Sequence, residues 1–294
     1  MQLELMARGP FSLAAVVKSH GWIQLVPFGE GADTAALTYV GRLASGRIVE
    51  LAIREVDGGV SVDVAASLDE AEQADLARQV TWMLGLDQDF TPFYELARAE
   101  PKLAQAVTRR QGRLLRSPTL FEDAIKTILT TNTTWSGTIR MVEALVSEFG
   151  TPVPTHPQRH AFPTPEQIAG ADGERLRVGA KLGYRAPYVL ELAQAVASGT
   201  LDLEALKTST LPTLELRHDL LALKGIGPYA AAHLLIFLER YDFIPVDSWA
   251  LKLTSHEWFE GAPVSSADVE TAFAQWGAWK GLAYWFWDWS YQGT

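Results

Sequence analysis

The hydrophobic period of the chain changes near residue 70, and this change constrains the fold more than any other feature. Before it, short β-branched or alternating runs are separated by glycine-rich or acidic turns: WIQLVPF, ALTYVGRL, RIVELAIREV and GVSVDVAAS. Alternation of this kind predicts an antiparallel sheet with one face covered. From SLDEAEQADLARQVTWMLGL onward the apolar residues follow helical spacing. The sequence therefore predicts an α+β protein with an N-terminal sheet lobe and a mostly helical body.

Local signals mark the helices of the second part. Thr119 precedes an apolar run, and Glu122 follows three residues later, which is the spacing of a capping box. Residues 151–163 are rich in proline and are predicted to be a loop. The shift in pattern predicts two domains, 1–112 as the sheet lobe with connecting helices and 113–294 as the helical domain.

The composition excludes several classes of site. The chain has no cysteine, which rules out disulfides, thiolate zinc sites, cysteine nucleophiles and iron–sulfur clusters. The six histidines are scattered, so we predict no metal and no cofactor. No apolar run approaches the length of a membrane span and the N-terminus lacks a secretory pattern, so we expect a cytoplasmic protein.

The formal net charge of −10 argues against a partner that is bound through bulk positive charge. Charge can nevertheless be local, because the stretch 98–116 is rich in Lys and Arg and contains a single acid. This stretch is either an ordinary solvated face or a source of phosphate contacts.

A tight glycine turn joins two helical runs at Lys224-Gly225-Ile226-Gly227. Two residues without a Cβ let the backbone turn sharply and approach a ligand closely. The helix that restarts at Pro228 presents N–H groups and a positive dipole end at its N-terminus. Such a turn can bind one backbone phosphate with main-chain donors. The alternative is a simple packing turn between antiparallel helices.

Asp247 follows a proline in FIPVDSWALK, about twenty residues after the glycines. Its structural interpretation is an N-cap of the next helix. A helix–hairpin–helix turn followed by Pro-Val-Asp at this distance is a rarer combination than either element alone.

With these residues the sequence resembles the helix-hairpin-helix (HhH-GPD) DNA glycosylase superfamily. Residues 112–150 and 174–189 are similar to the corresponding parts of 8-oxoguanine DNA glycosylases, and FAQWGAWKGLAYWFWDWS is similar to the last helix of bacterial 3-methyladenine glycosylases. The resemblance covers most of the chain and is strong from residue 112 on. It implies an antiparallel sheet lobe, an all-α helix-hairpin-helix body and a monomer that binds double-stranded DNA with a damaged base. Whether a monovalent cation joins the hairpin to the phosphate is left open.

The resemblance also implies roles for single residues. Asp247 matches the aspartate that stabilises a cation-like sugar when the bond to the base breaks. The lysine with which some members attack the sugar is replaced here by Tyr229, as in the alkylation-repair branch, and Lys224 lies on the other side of the glycines. We therefore predict hydrolysis without a lyase step.

An aromatic base pocket is implied as well, because a flipped base is held between aromatic or apolar surfaces. Tyr229 and His233 lie one helical turn apart and match residues of that pocket, although His233 could equally be a core histidine. Further candidates are Trp249, Trp285, Trp287 and Trp289. Trp285 is the first choice among the C-terminal tryptophans, and at least one of these is expected in the core.

Asn132 and the pair Tyr184-Arg185 match positions that fill the gap left by the flipped base and contact the opposite base. The structural alternatives are a helix C-cap for Asn132 and a surface pair for Tyr184 and Arg185. Four arginines of the basic stretch are further candidates for phosphate contacts: Arg109, Arg110, Arg113 and Arg116.

The sequence thus predicts a monofunctional DNA N-glycosylase of base excision repair that releases alkylated purines such as 3-methyladenine. One alternative is a glycosylase for 8-oxoguanine or another oxidised base. The other is a catalytically silent protein that binds damaged DNA.

Overall fold

The computed structural model describes residues 1–31 and 36–288. Contacts divide the chain into two compact units. Unit 1 contains Met1–Asp89 and Arg113–Thr208, and unit 2 contains Phe90–Gly112 with the described part of Ser209–Thr294. These bounds differ from the predicted domains because the chain passes from one unit to the other three times. As a result, residues 113–208, which were predicted to belong to the helical domain, share unit 1 with the sheet.

Unit 1 contains a five-stranded antiparallel sheet in the order β1-β5-β4-β3-β2. The strands are β1 Gln2–Met6, β2 Phe28–Glu30, β3 Ala36–Arg42, β4 Ile48–Val56 and β5 Gly59–Val64. Buried and less buried residues alternate along the first part of β4, with Val49, Leu51 and Ile53 in the core. The predicted sheet and the α+β class are therefore confirmed.

Two details of the sheet differ from the prediction. WIQLVPF is not one strand, because Gly21–Gln24 forms a 3₁₀ turn and the strand begins only at Phe28. Pro27 has no N–H to offer to a strand ladder. None of the sequence patterns described above predicts β1. It nevertheless pairs along its length with β5, from Gln2 opposite Asp63 to Met6 opposite Gly59.

The helices of unit 1 are α1 Leu13–Val17, α2 Glu70–Leu84, α5 Leu120–Thr130, α6 Trp135–Phe149, α7 Pro165–Ala169 and α8 Ala186–Ala197. The Thr119 side chain accepts the Glu122 N–H at 3.2 Å, as predicted. Glu122 does not complete the capping box, however. Its carboxylate accepts hydrogen bonds from the Tyr39 hydroxyl at 2.7 Å and from Lys126 Nζ at 2.6 Å. The buried side chains of Lys126 and Tyr39 thus bind the Glu122 carboxylate in place of the Thr119 backbone N–H.

The prediction of a loop at residues 151–163 was wrong. Thr151–Val153 and His156–Ala161 form an antiparallel hairpin, β6–β7, so the body predicted to be all-α contains strands. Val153 and Ala161 pack against Val40 of the main sheet. Prolines are tolerated here because they lie at exposed positions of a short hairpin with an irregular register.

Two arginines of the basic stretch are buried, which contradicts both interpretations given for them. Arg113 is 1% exposed and donates to four backbone carbonyls, two of which belong to Gly85 at 2.9 Å and Pro10 at 2.7 Å. Arg116 is 2% exposed, donates to the Trp82 carbonyl at 2.8 Å, and stacks its guanidinium 3.8 Å from the Trp82 ring. Both therefore bind carbonyls at the C-terminal end of α2, where a cation is favoured.

In its described part, unit 2 consists of helices joined by loops and contains no strand. Its helices are α3 Thr91–Ala97, α4 Ala104–Thr108, α9 Thr213–Ala222, α10 Pro228–Phe237, α11 Ser248–Trp258, α12 Ser266–Phe273 and α13 Lys280–Trp285. An aromatic cluster of Trp258, Phe273, Trp276 and Trp287 packs edge to face or tilted in its core. Within residues 1–31 and 36–288, no helix combines the length and hydrophobicity needed to cross a membrane.

Candidate active site

The glycine turn lies between α9 and α10, as the sequence predicted. Gly225 has φ +85°, a conformation that favours glycine. Ile226 is buried and anchors the turn, whereas Lys224 and Gly227 are exposed. A Cβ added at Gly227 would meet no atom within 4 Å, so internal packing does not require glycine there. No side chain caps the first turn of α10 at Gly227. The outer face of the turn is thus open to a ligand.

Asp247 is the N-cap of α11 and also lines a pocket. Its Oδ1 accepts hydrogen bonds from the backbone N–H groups of Trp249 at 3.0 Å and Ala250 at 2.8 Å. The side chain is half-buried. The N-cap interpretation is therefore confirmed, and it does not exclude a chemical role, because the same carboxylate borders the cavity.

The pocket has a volume of about 410 Å³. Its lining residues all belong to unit 2: Tyr229, His233, Pro245, Asp247, Trp249, Tyr284 and Trp285. The structure thus brings together the five side chains that the sequence singled out for catalysis and base binding. They come from α10, from the start of α11 and from α13.

Aromatic rings form most of the pocket wall. The Tyr229 and His233 rings lie 4.2 Å apart, and the His233 and Trp285 rings lie 5.6 Å apart in an edge-to-face arrangement. Tyr229 is 47% exposed and Trp249 is 54% exposed. Exposed aromatic rings around one cavity are a feature of ligand sites rather than of a core.

His233 is held in one orientation by a contact between its Nδ1 and the Tyr229 carbonyl at 3.1 Å. Burial lowers the pKa of His233, and the Tyr229 carbonyl and the charge of Asp247 offset this effect only partly. The ring is therefore neutral at pH 7, with the Nδ1 proton directed to the carbonyl. A neutral ring keeps its π face electron-rich, which suits a cationic ligand.

Tyr284 is a pocket residue that the sequence reasoning missed. Its hydroxyl donates to Asp247 Oδ1 at 3.2 Å. Burial, followed by the negative charge of Asp247, raises the pKa of the Tyr284 phenol, so the group stays protonated. The signal in the sequence was its position directly before Trp285, the tryptophan predicted to line the pocket.

The remaining C-terminal tryptophans divide as expected. Trp285 lines the pocket, and Trp287 is 3% exposed and belongs to the aromatic cluster of the core. Trp289 lies outside the described residues.

Asn132, Tyr184 and Arg185 lie together in unit 1, but they are not equally accessible. Asn132 follows the last residues of α5 with φ +48°, and its Nδ2 lies 3.4 Å from the Tyr184 hydroxyl. Tyr184 is 52% exposed. Arg185 is 6% exposed and donates to the carbonyls of Thr131 and Asn132. The alternative of a surface pair is therefore wrong for Arg185, which is directed inward and holds the loop that carries Asn132.

No group of three or more His, Asp or Glu side chains within residues 1–31 and 36–288 has the geometry of a metal site.

The chain is similar in sequence and in fold to known DNA glycosylases. The chain is 26% identical over 187 residues to a DNA-3-methyladenine glycosylase of Bacillus subtilis, an alignment that spans 63% of this chain and 61% of that protein. Two solved structures share the fold over 97% of both chains. They are the 3-methyladenine DNA glycosylase from Archaeoglobus fulgidus, with 22% identity and a TM-score of 0.76, and the 8-oxoguanine glycosylase/lyase of Clostridium acetobutylicum, with 20% identity and a TM-score of 0.72.

Residues 125–278, just over half of the chain, match the family of HhH-GPD superfamily base excision DNA repair proteins. This match includes the glycine turn and Asp247, the two elements from which the site was built. The chain belongs to the HhH-GPD superfamily.

Proposed function

We propose that this protein is a DNA N-glycosylase that flips an alkylated purine out of double-stranded DNA and releases it by hydrolysis. The observation that carries the proposal is the pocket itself, in which one carboxylate, Asp247, borders a cavity with aromatic walls. The similarity to a 3-methyladenine glycosylase supports the alkylated substrate.

The chemistry requires little more than this arrangement. The bond between C1′ and the base nitrogen breaks, and its electron pair leaves with the base. A cation-like sugar develops, which the Asp247 carboxylate stabilises. A water molecule then attacks C1′ and gives its proton to the carboxylate and on to solvent. A purine that carries a positive charge from alkylation leaves as a neutral molecule, so it needs no general acid.

The aromatic wall favours a cationic base. Contacts between a cation and the face of Tyr or Trp contribute roughly 0.5–2 kcal/mol, and Tyr229, Trp249 and Trp285 offer such faces. A neutral undamaged base gains only stacking, which every base provides. Selection between damaged and normal purines would then rest on charge and on the weaker bond to the alkylated base.

Binding to DNA is assigned to the glycine turn and to unit 1. The open face of the turn at Gly225 and Gly227 would bind one phosphate through main-chain N–H groups, which requires no basic surface and is compatible with the net charge of −10. Asn132 and Tyr184 would occupy the space of the flipped base. Arg185 would support Asn132 through its hydrogen bond to the Asn132 carbonyl rather than contact the opposite base.

Hydrolysis without a lyase step is expected because no lysine is among the described residues that line the pocket. Lys224 precedes the turn, and the Lys252 ammonium lies 5.3 Å from the ring of Trp249. If an amine nucleophile exists, these two residues are the candidates.

The test is a single-turnover assay on duplexes that each carry one lesion: a stable 3-methyladenine analogue, hypoxanthine, ethenoadenine, 8-oxoguanine or uracil. Wild type is compared with Asp247→Asn, and each product is divided into alkali-treated and untreated halves. We expect release of an alkylated base, strand breaks only after alkali, and a loss of at least about a hundredfold in Asp247→Asn.

Asp69→Asn is the matched control, because Asp69 is also an aspartate N-cap, on α2 of unit 1. It should retain the wild-type rate. Selective release of 8-oxoguanine would replace the proposed substrate, and breaks without alkali would show an amine nucleophile. Tight binding with no release from any duplex would identify a silent binding protein instead.

A further inference from the structure

We propose that Tyr284 is a positioning residue that holds the Asp247 carboxylate through Oδ1 and thereby leaves Oδ2 as the oxygen that faces the sugar and the attacking water. This inference rests on the proposed function of the pocket, and it assigns a role to a residue outside the sequence motifs.

Three donors converge on a single oxygen of Asp247. Oδ1 accepts the backbone N–H groups of Trp249 and Ala250 at 3.0 and 2.8 Å and the hydroxyl of Tyr284 at 3.2 Å. Within residues 1–31 and 36–288, no hydrogen bond to Oδ2 occurs. The two backbone donors come from the first turn of α11, whereas Tyr284 approaches from α13. The carboxylate is thus held from two separate elements.

This arrangement determines how the carboxylate can act. An N-cap aspartate bonded only to its own helix can still rotate about its side-chain torsions. A third donor from another helix fixes the plane of the carboxylate, which fixes the direction of Oδ2. The three donors also offset part of the charge on Oδ1, so the negative potential is concentrated at Oδ2. Preorganised charge of this kind stabilises a cation-like transition state without a reorganisation step.

The Tyr284 hydroxyl is suited to act as a permanent donor. The side chain is 7% exposed, and its ring packs edge to face against Phe273 at 5.9 Å. Because the phenol stays protonated, it can donate to the carboxylate throughout the working pH range. The neighbouring Trp285 lines the same pocket and contacts His233, so one turn of α13 carries both a base-pocket wall and the carboxylate support.

A purely structural role must be separated from this one. A buried phenol needs a hydrogen-bond partner, and Asp247 could serve Tyr284 rather than the reverse. The two roles differ in what the loss of the hydroxyl changes. A structural role affects stability and acts equally whatever side chain occupies position 247, whereas a positioning role affects the chemical step only while a carboxylate is present.

The experiment is a double-mutant cycle of Tyr284→Phe and Asp247→Asn in the full chain, on the best lesion duplex from the substrate panel. Single-turnover rates measure the chemical step, and the Kd for a duplex with an abasic-site analogue measures binding. Tyr241→Phe is the control, since it removes a phenol hydroxyl from the same unit outside the pocket. Thermal unfolding shows that each variant is folded.

We expect Tyr284→Phe to slow base release by about tenfold to a hundredfold, the range for loss of a hydrogen bond to a charged group, with the Kd changed by less than about threefold. In the Asp247→Asn background the same substitution should change the residual rate by less than about threefold. Tyr241→Phe should match wild type.

Two results would overturn the inference: a Tyr284→Phe rate within threefold of wild type, or the same loss in both backgrounds. If wild type releases no base, or if Asp247→Asn is as fast as wild type, the proposed function itself fails. Both of these outcomes can be told apart from a failure of the inference about Tyr284, because they are measured in wild type and in Asp247→Asn, which both keep Tyr284.

Discussion

Gly281 determines where α13 lies, and its replacement by alanine tests how the pocket is built. Its N–H donates to the Tyr241 carbonyl at 2.7 Å. A Cβ at this position would lie 2.5 Å from the Phe243 carbonyl oxygen and 2.9 Å from that of Tyr241. Both are backbone atoms, which cannot rotate away as a side chain can. The absence of a side chain therefore lets the first turn of α13 pack directly on residues 241–243.

The size of the effect follows from these distances. A carbon–oxygen contact needs about 3.4 Å, so α13 must move by roughly 0.5–1 Å, and overpacking of this kind costs about 1–3 kcal/mol. Tyr284 lies three residues further along the same short helix. Its bond to Asp247 measures 3.2 Å, and a shift of that size takes it beyond hydrogen-bond distance. Gly281→Ala should therefore also slow base release about tenfold or more, as proposed for Tyr284→Phe.

Urea unfolding followed by tryptophan fluorescence measures the stability change, and the single-turnover assay measures the rate. Gly173→Ala in unit 1 is the control, because the nearest atom to its added Cβ is 3.9 Å away. Its free energy of unfolding should stay within about 0.5 kcal/mol of wild type. Wild-type stability and rate in Gly281→Ala would refute the reasoning, since they would mean that α13 can shift without affecting either the fold or the carboxylate.

Two further predictions concern the buried charges of unit 1, and urea unfolding measures both. Lys126→Met should lower the free energy of unfolding by about 3–5 kcal/mol, because it leaves the buried carboxylate of Glu122 without its cation. A loss below about 1 kcal/mol would contradict this prediction. Adding Glu122→Gln to Lys126→Met should recover part of the lost stability. Burial raises the pKa of Asp123 from 3.8 to about 6, an effect that the donors Ser117 and Trp22 offset only partly. Between these values the native state binds more protons than the unfolded state, so the free energy of unfolding should fall by about 2 kcal/mol as the pH rises from about 4 to 6. Asp123→Asn should remove this component, and a pH dependence parallel to that of wild type would disprove the assignment.

Local features of the chain were predictable from the sequence. The caps at Thr119 and Asp247 depend on residues within three positions of the helix start, so they can be read without a fold. The glycine turn is equally local, since Gly225 needs its positive φ whatever surrounds it. The spacing of Tyr229 and His233 on α10 places both on one face of a helix, and the structure has them there. Their roles in catalysis and binding stay predictions.

Errors arose where a side chain finds its partner far along the chain. Glu122 has the spacing of a capping box, but it bonds to Tyr39, which is 83 residues away. Arg113 has the sequence context of a solvated cation, but in the structure it bonds to carbonyls that lie 25 to 105 residues away along the chain. Arg185 is directed inward for the same reason. In each case a buried polar partner outweighs the local preference, because an unsatisfied buried group costs more than a lost cap or a lost surface contact.

The sequence by itself determined the change from strand to helix near residue 70, the caps at Thr119 and Asp247 and the glycine turn, because all of these depend on neighbours within a few residues. Only the tertiary structure decided that a third donor, the Tyr284 hydroxyl, joins the two local N–H groups on Oδ1 of Asp247. The hydroxyl that holds it lies 37 residues away on α13. That helix reaches Asp247 because Gly281 has no side chain to keep it from the backbone of residues 241–243, a contact between distant segments that no local pattern encodes.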